Sequence, residues 1–397
     1  MIPLPRMTNA ADLKTHAAAA IRASGRDLFD LSGRIHATPE LGYEEHQAAA
    51  WVADALRAGG FAVTPGVCEL PTALTADAGS GALTIGICAE YDALPGMGHA
   101  CGHNLIAASA VGAGIGLAAV ADALDLRVRV LGTSAEEVGN GGGKDLMLER
   151  GAFDGVHAAL MVHPGPYDVL LPPLIAAATF DVHYGGRAAH AGAFPEQAIN
   201  AADALTIAQV SIGLLRQHLP DGDRVHGIVT HGGDMPNIVP AHVSGRFTVR
   251  SRTLEGLAAL RARVATCFEA GALATGATLR VESGDRPYAE VVHDKEMACF
   301  YRANAEALGR TFLDTGPIVE RAAASTDMGN VSRVIPSIHP MVGLGCFPTV
   351  NHQPAFAYHC IGPVAESAIL DAAIAMAWTA IDCAVSAEVR TRLTSRL

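Results

Sequence analysis

An apolar run, Leu83 to Cys88, ends in a turn-rich loop, Glu90 to Asn104, and leads into a second and longer apolar run, Leu105 to Ala121. A short apolar run followed by a long one reads as a strand and then a buried helix. This succession constrains the fold more than any other stretch. The loop between the two runs is Glu-Tyr-Asp-Ala-Leu-Pro-Gly-Met-Gly-His-Ala-Cys-Gly-His-Asn, which gathers two acids, two histidines and a cysteine. In α/β proteins the loops at the carboxyl ends of strands hold the chemistry.

The alternation continues downstream. Leu83–Cys88, the Ala/Gly-rich run, Val128–Gly132, a helix around Leu146–Glu149 and Ala158–Val162 follow the βαβ pattern of a largely parallel sheet. Ahead of them, Ala11–Arg34 and Glu44–Ala58 show helical periodicity, and Gly59-Gly60 closes the second. From about Pro172 the character changes. A strand at Thr179–Tyr184, a helix at Ala198–His218, strands at Gly227–Thr230 and Val243–Arg250, a helix at Leu254–Gly271 and a strand at Thr278–Glu282 form a compact βαββαβ unit. Helix resumes at Lys295–Leu308, a polar loop surrounds Ser325–Asn330, and Val364–Val385 is expected as the closing helix. The expected class is α/β: a mostly parallel-sheet domain, residues 1–174 and 290–397, carrying an inserted α+β ferredoxin-like domain, residues 175–289.

Composition narrows the function. With 397 residues, half of them hydrophobic, the chain can build a large core and two domains. The net charge of −12 is spread without runs, and the absence of a basic cluster disfavours a nucleic-acid partner. Eight cysteines at irregular spacing do not form a disulfide framework of the small secreted kind, so reduced thiols in a cytoplasm are expected. Met1–Arg6 carries no leader pattern. Leu105–Ala121 is the only membrane candidate; it is Ala/Gly-rich, starts directly after His103 and Asn104, and is expected as a buried helix, with Gly112 and Gly116 serving close packing on the sheet.

The chemistry starts at Cys101 and His103. A C-x-H spacing lets a thiolate and an imidazole reach one ion or two adjacent ions. Glu136-Glu137 ends the Val128 strand, His163 ends the Ala158 strand and His352 sits in a late loop, so three strand ends and a return loop converge on one sheet edge. Of two adjacent glutamates, one can bind metal while the other stays free as a general base for water shared by two ions. Ligating histidines pass their other N–H to a carboxylate, and Asp92 lies in the right loop for that role. Gly139–Lys144 is not a phosphate-binding loop, since Val138 stands where the first glycine belongs and Asp145 follows the lysine. That segment is expected to be flexible support for the two glutamates. No serine sits in a nucleophile elbow.

The chain resembles the aminoacylase-type di-metal amidohydrolase and metallopeptidase family, which includes hippurate hydrolase, indole-acetyl-amino-acid hydrolase, aminobenzoyl-glutamate hydrolase and β-alanyl dipeptidase-like proteins. The resemblance rests on Pro39–Glu45, Glu90–Pro95, His99–Asn104, Glu136-Glu137, Ala189-His-Ala-Gly192, Asn237–Pro240 and Asn351-His352. It implies a zinc-exopeptidase-like catalytic domain with a lid that also dimerises. It also implies metal ligands at Cys101 (bridging), His103, Glu137, His163 and His352, a general base at Glu136 and an orienting acid at Asp92. His190 matches the family's lid histidine, which reaches the partner subunit's site, and Asn237 and Arg250 match positions that hold the substrate carboxylate. His99 is left as a loop residue outside the ligand set. The implied cofactor is a pair of divalent ions, Zn or Mn, with Co or Ni also accepted. Glu90 and Asn104 replace acids of the hippurate branch and, with Ser325–Asn330, point to the aminobenzoyl-glutamate and β-alanyl dipeptidase-like branch. The expected function is hydrolysis of N-acyl or N-aroyl amino acids or dipeptide-like substrates by a homodimer. The rivals are a metal-binding scaffold on the same fold with catalysis lost, and a closed structural zinc site.

Overall fold

The computed structural model describes residues 9–283, 286–313, 316, 319 and 323–396. Met1–Arg6, read above for a leader, lies outside them. The chain divides into two compact units. One holds the chain up to Val138, Gly142–Pro173 and the chain from Val291 on; the other holds Gly139–Gly141 and Leu174–Glu290.

In chain order the strands are β1 (Ala62–Pro65), β2 (Leu74–Gly79), β3 (Leu83–Glu90), β4 (Leu126–Thr133), β5 (Ala158–Leu160), β6 (His163–Gly165), β7 (Ala176–Gly185), β8 (Arg224–His231), β9 (His242–Ser251), β10 (Thr278–Ser283), β11 (Ser337–Ile338) and β12 (Met341–Gly343). The main sheet of the first unit runs β1-β2-β4-β3-β5-β11. Its β4-β3-β5-β11 portion is parallel, and β2 and β1 extend it antiparallel at one side. Every residue of β3 is buried, which is why its sequence reads as an uninterrupted apolar run rather than an alternating one. Because β4, β3 and β5 are parallel neighbours, their carboxyl ends open onto the same edge. The strands β1, β2 and β11 are additions to the expected sheet; the edge strands β1 and β11, of four and two residues, are too short to carry periodicity of their own.

The helix His103–Ala118 runs through the core beside β3 and is buried on nearly every side. Gly112 and Gly116 face other helices and not the sheet: a Cβ on Gly116 would sit 2.6 Å from Ile21 Cδ1, and one on Gly112 would sit 2.8 Å from Leu28 Cδ1. The sheet-facing glycine is Gly114, whose Cβ would meet Val130 at 2.7 Å. The single helix expected over Ala11–Arg34 is two, Ala10–Ala23 and Gly25–Ala37, broken at Ser24. Both halves keep an apolar stripe on the core, Leu13, Ala17 and Ile21 in one and Leu28, Leu31 and Ile35 in the other.

Among the described residues the helix long and apolar enough to cross a membrane is Pro363–Val385, not the 16-residue His103–Ala118. Its most apolar window is 72% buried inside the unit, so its hydrophobicity reflects a core position. A further short helix, Ala387–Thr394, follows it, so Pro363–Val385 does not close the chain.

The second unit is one antiparallel sheet in the order β10-β7-β9-β8, the ferredoxin-like arrangement of a βαββαβ chain. Its helices, Ala201–Leu215 and Leu254–Thr275, cover one face. They bury Phe180, Val182, Tyr184, Phe247 and Val249 in a core of their own. The alternation along β7 follows from this, with Phe180, Val182 and Tyr184 inward and Thr179, Asp181 and His183 outward.

Candidate metal centre

The loop after β3 brings Asp92, Cys101 and His103 to the sheet edge. His103 opens the helix His103–Ala118, preceded by Gly102 in the left-handed region at φ 82°. A Cβ at Gly102 would lie 2.5 Å from Pro164 Cγ, so glycine is needed both for the backbone turn and for the approach of the β6 strand. After β4 the chain turns at Ala135, a non-glycine residue at φ 56°, and points Glu136 and Glu137 at the same edge. Glu45 accepts the Ala135 N–H at 2.6 Å and braces that turn. Its neighbour Glu40 accepts Ala93 N–H through its carbonyl at 2.8 Å. The Pro39–Glu45 motif thus supports both of the loops that carry the site.

His163 begins β6, and its Nδ1–H donates to the Pro164 carbonyl at 2.7 Å, which leaves Nε2 as the acceptor. His352 is held at φ 65°, with its N–H on the Ala100 carbonyl at 2.9 Å. Asn351 ties the two loops together, donating to the carbonyls of Pro164 at 3.1 Å and Cys101 at 3.4 Å.

These side chains converge. Cys101 Sγ lies 3.4 Å from Nε2 of His163 and 3.4 Å from Nε2 of His352. Glu137 Oε1 is 3.4 Å from His352 Nε2 and 3.8 Å from His103 Nε2. Among the described residues two ligand groups share the cysteine, Cys101 with His103 and His163 and Cys101 with Glu137 and His352, and a third joins His103 with Glu136 and Glu137. Sulfur and nitrogen donors bonded tetrahedrally to one ion of the zinc type stand roughly 3.5 Å apart, so this spacing suits a metal. Among the described residues, His103 Nε2 and Glu137 Oε1 are buried without a hydrogen bond. Such orphaned acceptors are costly unless a cation meets them.

Asp92 organises the pair. It is buried, takes the His103 Nδ1 proton at 2.9 Å on one oxygen, and accepts the Glu137 backbone N–H at 2.9 Å on the other. One carboxylate therefore sets the tautomer of one ligand and the position of the next.

The titration behaviour follows from burial and crowding of charge. Burial and then the neighbouring charges of Glu90 and Glu137 push Glu136 well above the usual carboxylate range. Burial acts on Glu137 in the same direction, yet the adjacent His352 and His103 hold it down at about 2. Burial and then His103 lower His163 to about 4. Burial would lower His103 too, but Asp92 and Cys101 raise it well above its ordinary value. Burial and Glu137 raise the Cys101 thiol, a direction that a bound divalent ion reverses.

His99 lies outside these groups; its nitrogens are buried without a partner among the described residues, and burial and then His103 lower it to about 3. His190, Asn237 and Arg250 belong to the second unit. There His190 and Asn237 sit on adjacent exposed segments, with the Ala191 N–H on the Asn237 carbonyl at 3.0 Å. Arg250 stands on β9 opposite Arg224, its Nε 3.5 Å from His226 Nε2.

Two residues beside the site go beyond what the sequence suggests. Lys144, expected in a flexible glycine-rich support, is fully buried and paired with Glu90 and Asp327. His339 is buried with its ring stacked on His163 at 5.7 Å. The one local signal for Lys144 is the oddity of a lysine in a run destined for the core; His339 carries no local signal.

Two groups of soft and hard donors sharing a thiol, with the Glu136 carboxylate beside them, have the make-up of a metal centre. A family model described as Peptidase family M20/M25/M40 matches residues 86–368, and the chain belongs to that family. The Xaa-Arg dipeptidase of Mus musculus is 37% identical over 396 residues, covering 95% of this chain and 91% of that protein. One of the p-aminobenzoyl-glutamate hydrolase polypeptides of Escherichia coli is 32% identical over 281 residues, 66% of this chain and 58% of that one. A Bacillus subtilis crystal structure described as a dinuclear metal binding peptidase of the M20 family shares the fold, with a TM-score of 0.69 at 22% identity over 92% of this chain and 99% of that one. The protein is a metal-dependent amidohydrolase of a family whose members act on dipeptides and acyl-amino acids.

Proposed function

We propose that the protein cleaves the amide between an aminoacyl, acyl or aroyl group and an amino acid with a free carboxylate, using two divalent ions. The observation that carries this reading is the Asp92 bridge, which holds His103 and Glu137 by 2.9 Å contacts while His103 Nε2 and Glu137 Oε1 make no hydrogen bond among the described residues. Cys101, His103 and His163 would hold one ion, and Cys101, Glu137 and His352 the other, with Zn or Mn best suited to this donor set. Bound there, the ions supply Lewis acidity to the scissile carbonyl and to the attacking water.

Glu136 acts as general base. Its carboxylate lies 4.0 Å from His103 Nε2, beside both cysteine-sharing groups but in neither. It takes the proton of the attacking water and returns it to the leaving amide nitrogen. His190, delivered by a partner subunit through the second unit, donates to the developing oxyanion. Asn237 and Arg250 hold the substrate carboxylate.

For the leaving amino acid, the Xaa-Arg dipeptidase likeness favours a basic residue, which the net charge of −12 would attract. The test is Glu136→Gln in a metal-reconstituted chain, offered Xaa-Arg dipeptides, aminobenzoyl-glutamate and ordinary N-acyl amino acids. Turnover should fall by at least about a hundredfold with metal content unchanged; substantial remaining turnover would sink the assignment.

A further inference from the structure

Lys144 is the second residue of the short helix Gly143–Glu149. That helix starts hard against the turn after β4, where a Cβ on Gly143 would lie 2.0 Å from the Ser134 carbonyl oxygen. The lysine side chain is wholly shielded from solvent. Its Nζ pairs with Glu90 Oε1 and, at 2.5 Å, with Asp327 Oδ1, while its backbone N–H donates to Asp327 Oδ2 at 2.9 Å. Glu90, which ends β3, and Asp327, which precedes the helix Met328–Val334, thus meet across one buried cation.

Two further distances give this pairing a consequence for the metal centre. Carboxylate oxygens of Glu90, Glu136 and Asp327 lie within 4.8 Å of one another, which is the spacing of oxygen ligands around a single cation. Glu90 Oε2 makes no hydrogen bond among the described residues and stands 3.5 Å from His103 Nε2, closer than either Glu136 at 4.0 Å or Glu137 at 3.8 Å. By distance alone Glu90 could join His103 on an ion. A buried carboxylate whose charge is already met by an ammonium gains less from doing so.

We propose that Lys144 is a positioning residue that acts as a resident counter-cation: it fills a hard three-carboxylate cation site and withholds Glu90 and Asp327 from the metal ions. The chemistry of the donors separates the two places. The Cys/His/Glu set suits borderline metals, whereas three carboxylates alone suit Mn²⁺ or Mg²⁺. Without the ammonium, Glu90 and Asp327 would lose the cation that both now meet, and a divalent cation is the simplest replacement charge. The lysine therefore caps the number of ions that the centre accepts.

This inference rests on the metal-centre reading above, and the experiment keeps the two apart by counting ions against the parent chain. Parent, Lys144→Ala, Lys144→Arg and Lys144→Ala/Glu90→Gln chains are loaded with Mn²⁺, freed of excess, and assayed for manganese per chain by elemental analysis. Lys144→Ala should hold one ion more than the parent, Lys144→Arg the same number as the parent, and the double variant should lose the extra ion. A parent that holds other than two ions fails the two-ion reading but leaves the difference of one intact. Equal counts in the parent and Lys144→Ala overturn the proposal. Should Lys144→Ala not fold, Glu90→Gln alone decides: because Glu90 is withheld from the ions, its Mn²⁺ affinity should match the parent, and a loss beyond about threefold, short of the tenfold or more typical of a true ligand support, refutes it.

Discussion

Replacing Asp92 with Asn tests whether one carboxylate organises the centre. The change keeps the shape of the side chain and most of the packing around a residue that is almost wholly buried. It alters what the two oxygens can do. Both are acceptors in the native chain, one for His103 Nδ1–H and one for the Glu137 N–H, each at 2.9 Å. An amide can accept at one position only, and its NH₂ must then face a second donor. If the Glu137 N–H keeps the carbonyl oxygen, His103 can relieve the clash only by moving its proton to Nε2, the nitrogen that faces the metal. Either way a ligand is presented wrongly. Loss of an outer partner of this kind costs roughly 10–100-fold in metal affinity, about 1.4–2.7 kcal/mol. The assay is competitive titration of Zn²⁺ against a chromophoric chelator at fixed pH, with circular dichroism confirming the fold. A dissociation constant within twofold of the parent would refute the reasoning, because it would mean that neither the tautomer nor the Glu137 backbone depends on Asp92.

Two further outcomes follow from the same geometry. Cys101 alone belongs to both of the proposed ion sites, so Cys101→Ala should weaken both ions, whereas His352→Ala should leave one ion bound by Cys101, His103 and His163; equal losses in the two variants, counted by the same titration, would contradict the sharing. Burial, then the nearby Asp92 charge, push Glu45 up to about 7 from its ordinary 4.5, so the folded chain keeps a proton that the unfolded chain releases. The stability tied to this group is thus full below about pH 4.5 and is lost as pH rises through about 7, with a slope of at most about 1.4 kcal/mol per pH unit. Glu45→Gln should flatten the decline in melting temperature between pH 5 and pH 8 in the metal-free chain, and parallel curves for the two proteins would count against the assignment.

Much of the fold is legible in the sequence because its elements are long and patterned. The helices Ala201–Leu215 and Leu254–Thr275 and the strands β7 and β9 each carry enough periodicity to declare themselves. The break at Ser24 has only a weak local signal, the Ser24-Gly25 pair, which the helical patterning on either side masks. Not legible are β2 and β11, which pair with β4 and β5 far along the chain, nor is β1, which is only four residues long. In the site, Cys101, His103, Glu136 and Glu137 stand out as chemistry-bearing residues next to apolar runs, while Glu45, Lys144 and His339 do not.

The residues of the loop from Glu90 to Asn104, the paired glutamates and the lone histidines by themselves make this chain a candidate for metal binding, because donor type and spacing are properties of the local sequence. They also determine the parallel-sheet frame, through apolar runs whose period and length distinguish strand from helix. Which donors share an ion is decided only in three dimensions. Cys101 meets His163 and His352 across long stretches of chain, and no spacing rule spans that distance. The buried ion triad is the clearest case. Glu90, Lys144 and Asp327 come from three separate elements, and a lysine in a glycine-rich segment reads as solvated until the tertiary packing removes the water around it. Once that water is gone, a buried charge must find its opposite, and the pairing that no stretch of sequence announces becomes obligatory.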